Sequence, residues 1–278
     1  MRIMKVLDGE IEKRIDASMV GALLSKEYDL AMDAIPRIAD DIHTNIPDNR
    51  RGSYGIVYVT KVLSEYLCGR LVQTGVPILP AASHMLRESV DPQCRGVSLG
   101  LLSLHGVDDL KSVLPYFEMA AASPDWATRE YAQMFFRKLI RRHPDEAREY
   151  LLRLAKSEDD RVRRFVGETL RPVQENRWFY QHPDYPLSII REMFKESSAY
   201  ARTSVGNNLS DLARQCPEIV YGVVRELVDN GDRNSYWIAY RACRNLVKTD
   251  PLKVMDLLKV DEYRYKERIY KRSDYHRD

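Results

Sequence analysis

Four small apolar residues, Ala132, Val166, Val205 and Ala242, recur at separations of 34, 39 and 37 residues. Each sits inside a stretch with apolar residues at helical spacing: WATREYAQMFFRKLIRR from 126, RVRRFVGETLRPV from 161, YARTSVGNNLSDLAR from 200 and WIAYRACRNLVKTD from 237. A period of this length is one pair of helices. Such a pair cannot bury its apolar face alone and must stack on its neighbours. The expected fold is therefore all-α: an α-solenoid (α-α superhelix) of HEAT-like repeats with a concave groove. Pro115, Pro124, Pro144, Pro172, Pro183, Pro217 and Pro251 fall where the pattern predicts turns, since proline stops or starts a helix.

Strand signals are nearly absent. YGIVYVTKVLSEYLCGRLV (54–72) begins like a strand, but its apolar spacing continues as a buried helix. A chain of 278 residues suits two domains or one elongated array. We read 1–278 as a single solenoid domain, with N-terminal helices over 1–94, HEAT-like repeats over 95–258 and a charged tail over 259–278. The tail, EYRYKERIYKRSDYHRD, reads as a last amphipathic helix or a frayed end. An aromatic-rich insertion, ENRWFYQHPDYP, lengthens the repeat at 175–186.

Composition narrows the function classes. Hydrophobic residues make up 44% and charged residues 30%, which describes a folded soluble chain rather than a disordered one. Cys68, Cys94, Cys216 and Cys243 form no CxxC pair and read as free thiols. The histidines show no HExxH or paired-ligand spacing, so neither a metal nor another cofactor is expected. No segment approaches 18 apolar residues, and MRIMKVLDGEIEKRID lacks a signal-peptide core. A cytoplasmic, nucleoid-associated monomer with no membrane partner is expected. GVSLG (96–100) matches the G-x-S-x-G elbow, but that motif requires a preceding strand, and here helix continues through it. Ser98 and its glycines read as packing residues. Asp40-Asp41, Asp108-Asp109 and Asp159-Asp160 read as caps and turns.

The non-core faces carry the chemistry. On a helical wheel the first helix of each repeat has a core stripe: Ala132, Phe135, Phe136 and Leu139; then Val162, Val166 and Leu170; then Val205, Leu209, Leu212 and Ala213. Opposite them lie Glu130 with Trp126, Arg137 and Arg141; Glu168 with Arg161, Arg164 and Arg171; and Asp211 with Ser204, Asn207 and Arg214. The fourth repeat places Arg244 and Lys248 there, without an acid. Stacking aligns these faces into a basic groove with carboxylates in it. The net charge of only +2 leaves room for such a patch. Cations suit a phosphate backbone. Carboxylates oppose it and need another purpose, or else they are Glu–Arg pairs on a solvated face. Arg129, Arg163 and Arg202 recur at one repeat position and read as an Arg–Asp ladder between repeats.

The third of these helices is the oddest. Gly206, Asn207, Asn208, Ser210 and Asp211 are poor helix formers, together costing about 3 kcal/mol against alanine.

At these residues the chain resembles the DNA alkylation repair proteins, in the AlkC-like branch of the HEAT-like-repeat DNA glycosylases. WATREYA, RPVQENRWF and YARTSVGNNLSDLAR carry the resemblance, which covers about residues 95–258. It is sharpest at Asn207-Asn208-Leu209-x-Asp211-Leu212 and Glu168-x-x-Arg171-Pro172. The resemblance implies double-stranded DNA carrying alkylated bases as partner. It also implies hydrolysis of the N-glycosidic bond of cationic N3- or N7-alkylated bases such as 3-methyladenine and 3-methylcytosine. In such enzymes the lesion edge is met on the concave surface, in contrast to ordinary base flipping. Glu130, Glu168 and Asp211 match the family's acids, with Glu168 expected as the main electrostatic or water-orienting group. Trp178, Trp126 and Asn207 are expected at the lesion or sugar, although Trp178 follows Pro172 at a longer spacing than the family's aromatic. Thr169 stands where the family has a glycine. Arg137, Arg141, Arg161, Arg164, Arg171, Arg214, Arg244 and Lys248 are the expected DNA contacts. The extra β-sandwich of some members is not expected here, so a second grip on DNA would come from the tail or the N-terminal helices. The rival expectation is a HEAT-repeat scaffold that binds nucleic acid or protein without catalysis.

Overall fold

Helix follows helix wherever the apolar spacing predicts one. The structure, a computed structural model, describes residues 6–51 and 55–275. The helices are α1 (Gly9–Ile15), α2 (Gly21–Leu24), α3 (Tyr28–Thr44), α4 (Asp48–Arg51), α5 (Ile56–Thr74), α6 (Ile78–Glu88), α7 (Pro92–His105), α8 (Leu110–Ala121) and α9 (Trp126–Arg142). They continue as α10 (Pro144–Leu154), α11 (Asp160–Thr169), α12 (Asp184–Ile190), α13 (Ala199–Leu212), α14 (Pro217–Asp229), α15 (Arg233–Ala242) and α16 (Pro251–Leu258). Two strands follow, β1 (Glu262–Tyr265) and β2 (Arg268–Lys271). The chain divides into two compact units, Met1–His143 and Pro144–Asp278.

In the first unit α7 is the central element, flanked by α5, α6 and α9. Its Asp91 cap accepts the Cys94 amide at 2.8 Å, and Pro92 opens the first turn. Val97, Leu99, Leu101 and Leu102 are fully buried. The G-x-S-x-G segment lies mid-helix. The Ser98 hydroxyl is buried and donates to the Ala82 carbonyl at 2.6 Å, which removes it as a nucleophile. Side chains satisfy the polar groups of this core: Gln93 Nε2 donates to Thr60 Oγ1 (2.7 Å) and Ser103 Oγ to the Phe135 carbonyl (2.8 Å).

In the second unit the repeat is explicit. The inner helices α11, α13 and α15 pack in series, α11 on α13 and α13 on α15. The repeat-defining residues Val166, Val205 and Ala242 are all fully buried, as is Ala132 in the first unit. Aspartate or serine caps open the inner helices: Asp159, Ser198 and Asp232.

Three expectations are corrected. Pro115 lies inside α8 rather than at a turn. Asp40 and Asp41 lie near the end of α3 rather than at a cap, with Asp41 pairing with Arg14 at 2.6 Å; Asp109 and Asp159 are caps. The tail is neither a helix nor a frayed end over its described part, residues 276–278 lying outside the described residues. It is an antiparallel hairpin pairing Tyr263 with Tyr270 and Tyr265 with Arg268. Tyrosines two apart put their rings on one face of a strand, and Tyr263 and Tyr270 are both buried. Stacking of Tyr240 on Tyr263 (4.4 Å between centroids) and a 2.8 Å bond from Tyr263 to the Tyr240 carbonyl dock the hairpin on α15.

Candidate functional site

The site of the second unit starts with a close approach. A Cβ on Gly167 would lie 2.8 Å from Ser204, so α11 and α13 meet with only a hydrogen between them. That contact buries the next residue, Glu168, to 4% exposure. Ser204, expected on the open face, is buried there too. Pro172 prevents α11 from continuing, and Asn176 Nδ2 clasps the turn by donating to the Thr169 carbonyl at 2.8 Å.

The turn aims Arg171 between two carboxylates. Its Nη1 donates to Glu168 Oε2 at 2.9 Å, and its Nε and Nη2 donate to Asp211 Oδ2 at 2.8 and 2.6 Å. Arg164 reaches the other Glu168 oxygen at 3.3 Å, and Arg214 reaches Asp211 Oδ1 at 3.2 Å. Burial works against the charge on Arg171. Glu168 and Asp211 outweigh it and hold its proton above the usual arginine range. The result is a chain of alternating charge, Arg164–Glu168–Arg171–Asp211–Arg214. Breaking a buried link in such a chain leaves an uncompensated charge.

Each weak helix former of α13 is used against a neighbour. Asn208 is buried and donates to the Gly167 carbonyl at 3.2 Å. The Ser210 carbonyl accepts from Asn245 at 2.8 Å. Gly206 leaves room for Arg241, whose side chain would lie 2.8 Å from a Cβ there. Asn207 Oδ1 accepts from Arg241 Nε at 3.0 Å and Arg244 Nη1 at 2.8 Å. Arg244 Nη2 also donates to the Tyr265 hydroxyl at 3.0 Å, with its guanidinium 4.7 Å from that ring.

These groups surround an open cavity of about 220 Å³, lined by Arg171, Asn207, Ser210, Asp211, Arg214, Arg241, Arg244, Asn245, Lys248 and Tyr265. Its five cations face one lining carboxylate, that of Asp211. A second cavity, of about 420 Å³, shares Arg241, Arg244 and Tyr265 and adds Trp237, Tyr240, Tyr263, Arg264 and Lys266. Of the residues singled out from the sequence, the structure brings together Arg171, Asn207, Asp211, Arg214, Arg244 and Lys248, with Glu168 buried behind Arg171.

Others stand elsewhere. Trp178 does not line the cavity; it packs on Phe179 (4.5 Å) and Tyr185 (5.1 Å) within its own insertion. The aromatic of that segment that reaches Asp211 is Tyr180, whose hydroxyl lies 3.4 Å from the Asp211 carbonyl. Arg161 is drawn back to its own cap, Asp159, at 2.7 Å. Arg164 lies over Tyr200 at 4.5 Å and against Glu168. In the first unit, Trp126 is exposed at the start of α9, Arg141 is exposed, and Glu130 accepts a short hydrogen bond from Gln133 Nε2. Arg137 is 8% exposed, which corrects its reading as a phosphate contact.

The Arg163 and Arg202 positions reach across to the next repeat, but to Glu196 and Asn234 rather than to aspartates. Arg129 donates to the Ser123 and Pro124 carbonyls, Arg163 to Glu196 at 2.6 Å, and Arg202 to Asn234. Sequence reasoning missed Arg241 and Tyr265. Arg241 precedes Arg244 by one helical turn, and Tyr263 and Tyr265 alternate as in a strand; both signals were available.

Comparison with known proteins bears on the fold. No protein-family model matches the sequence, and no curated protein does. Solved structures do match in shape, among them the following three. Smu.31 from Streptococcus mutans UA159 is 18% identical over 76% of this chain and 96% of its own, with a TM-score of 0.55. AlkD2 from Streptococcus mutans is 18% identical over 76% and 97%, with a TM-score of 0.56. The Pseudomonas fluorescens alkylpurine DNA glycosylase AlkC, bound to DNA containing an abasic site analog, is 19% identical over 91% of this chain and 66% of its own, with a TM-score of 0.54. The likeness is one of fold. The chain has the all-α, HEAT-like solenoid fold that its repeat spacing predicts, and the resemblance drawn from its motifs is met at that level.

Proposed function

We propose that this chain is a DNA glycosylase of alkylation repair, acting on bases made cationic by N3 or N7 alkylation. The observation that carries the reading is Asp211, the one carboxylate in the wall of a cavity that five cations also line. Those cations suit the DNA backbone. A carboxylate among them weakens phosphate binding and calls for a positive partner, which an alkylated nucleotide provides. As the C1′–N bond breaks, its electron pair leaves with the base and neutralises it, while positive charge develops on the sugar ring. Asp211 faces that charge and orients the water that adds to C1′. The water's proton passes to the carboxylate and on to solvent, leaving an abasic site.

Asp211 rather than Glu168 takes the main role in this proposal. Both Glu168 oxygens are held by Arg164 and Arg171, and the residue is buried. Glu168 then positions Arg171. Glu130 keeps the supporting role implied by the family resemblance. No metal or cofactor enters the step.

One observation favours a second reading, DNA binding without chemistry: both Asp211 oxygens are engaged, by Arg171 and Arg214. A single assay decides between them. Methylated duplex DNA is incubated with the protein, and released 3-methyladenine and 3-methylcytosine are measured by chromatography. Release lowered about 100-fold or more by Asp211→Asn supports the enzyme. Tight binding with no base released supports the second reading.

A further inference from the structure

The corner of the cavity formed by α15 and the hairpin has a charge imbalance that the rest of the site lacks. Arg241 and Arg244 converge on a single neutral atom, Asn207 Oδ1, at 3.0 and 2.8 Å. Among the described residues neither has a carboxylate within ion-pair distance. The nearby acids are committed elsewhere: Glu168 to Arg164 and Arg171, Asp211 to Arg171 and Arg214. Two guanidiniums on one amide oxygen repel, and partial burial raises the cost. Burial first, and Arg244 second, pull the Arg241 proton affinity below the usual arginine range. Arg244 Nε is moreover buried without an acceptor.

The arrangement is nevertheless held rigidly. Gly206 admits the Arg241 stem, which lies 5.4 Å from the Trp237 ring at its guanidinium. The Tyr265 hydroxyl accepts from Arg244, and its ring lies beside the same guanidinium. Lys248 and Lys266 flank that ring at 5.6 and 5.8 Å. Planar guanidinium forks match the paired oxygens of a phosphate better than they match an amide.

We propose that Arg241 and Arg244 together bind one phosphodiester group of a DNA strand, and that the C-terminal hairpin, through Tyr265, holds Arg244 in position for it. The inference rests on the DNA-binding reading of this cavity but not on catalysis. The hairpin thereby contributes to the hold on DNA through Arg244. Tyr265 is a positioning residue, since it acts through Arg244.

The test uses the full chain and a short fluorescent duplex, with the dissociation constant measured across salt concentration. Arg241→Gln and Arg244→Gln are each expected to weaken binding about tenfold at low salt. The double variant is expected to lower the slope of log affinity against log salt by about one, because both arginines serve one phosphate. A loss of about two would mean two separate phosphates, and no loss would mean no phosphate; either overturns the proposal. Tyr265→Phe keeps both charges, so it should weaken binding about threefold with the slope unchanged and the melting temperature within about 2 °C. Unchanged affinity in Tyr265→Phe would overturn the role of the hairpin. Circular dichroism confirms that each variant is folded. Inorganic phosphate is the second arm. If millimolar phosphate raises the melting temperature of wild type but not of the double variant, while both bind duplex equally, the site takes free phosphate and the DNA assignment falls. Base release does not enter these readouts, so the glycosylase reading and the phosphate site fail separately.

Discussion

On a helical wheel, α9 of the first unit has the same pattern as α11 and α13 of the second unit: an acid and arginine opposite an apolar stripe. Their side chains are deployed differently. In the first unit Arg137 is buried, and Glu130 is bonded to Gln133 one turn away on the same helix. In the second, Asp211 and five cations line one open cavity, and two of those cations share a neutral acceptor. Charge on a face says little by itself. What distinguishes a binding surface is charge the fold positions without neutralising.

The sharpest way to break this comparison is kinetic. Asp211→Asn should lower base release about 100-fold or more, and Glu130→Gln about tenfold or less, in single-turnover assays. Equal losses would make the two regions equivalent. Next is stability. Glu168→Gln leaves Arg164 and Arg171 short of a buried charge and should cost about 3 kcal/mol, read from the urea midpoint. Glu130→Gln, at a half-buried rather than a buried side chain, should cost less, about 1 kcal/mol.

A smaller effect tests the close approach at α15. Gly206→Ala gains about 1 kcal/mol of helix propensity but pushes on the Arg241 stem, and the net should be a loss of about 1 kcal/mol. A net gain would show that Arg241 moves aside freely. Its DNA affinity should then be compared with that of Arg241→Gln. A pH scan follows. Burial pushes the Tyr263 phenol well above the ordinary tyrosine value. Its folded proton affinity exceeds the unfolded one, so its contribution is complete below pH about 10 and is lost as pH rises through the folded value. Urea midpoints should fall in that alkaline range, and less so in Tyr263→Phe. The smallest effect is expected at Trp126→Ala. This exposed side chain should change stability by no more than about 0.5 kcal/mol, by thermal melting.

Much of this was legible in the sequence. The spacing of Ala132, Val166, Val205 and Ala242 requires stacked helix pairs. The weak helix formers of α13 mark the helix that contacts both neighbours. Periodicity gives each side chain a direction but not what stands in that direction. Glu168 points away from its own apolar stripe, yet Gly167 draws α13 so close that the carboxylate is buried. Arg137 likewise points away from the core stripe and is buried. The hairpin was hidden because EYRYKERIYK is dominated by charge, and its tyrosines bury only once Tyr240 supplies a surface.

Gly206 has a consequence for how this protein can change. The space it leaves is occupied by a side chain 35 positions further along the chain, Arg241. The two positions are therefore not independent. A larger residue at 206 costs less once 241 has shortened, and a shortened 241 no longer reaches Asn207. Mutational drift at a helix residue with no ligand contact of its own would register as a loss of anion affinity, and compensation would have to come from the neighbouring helix.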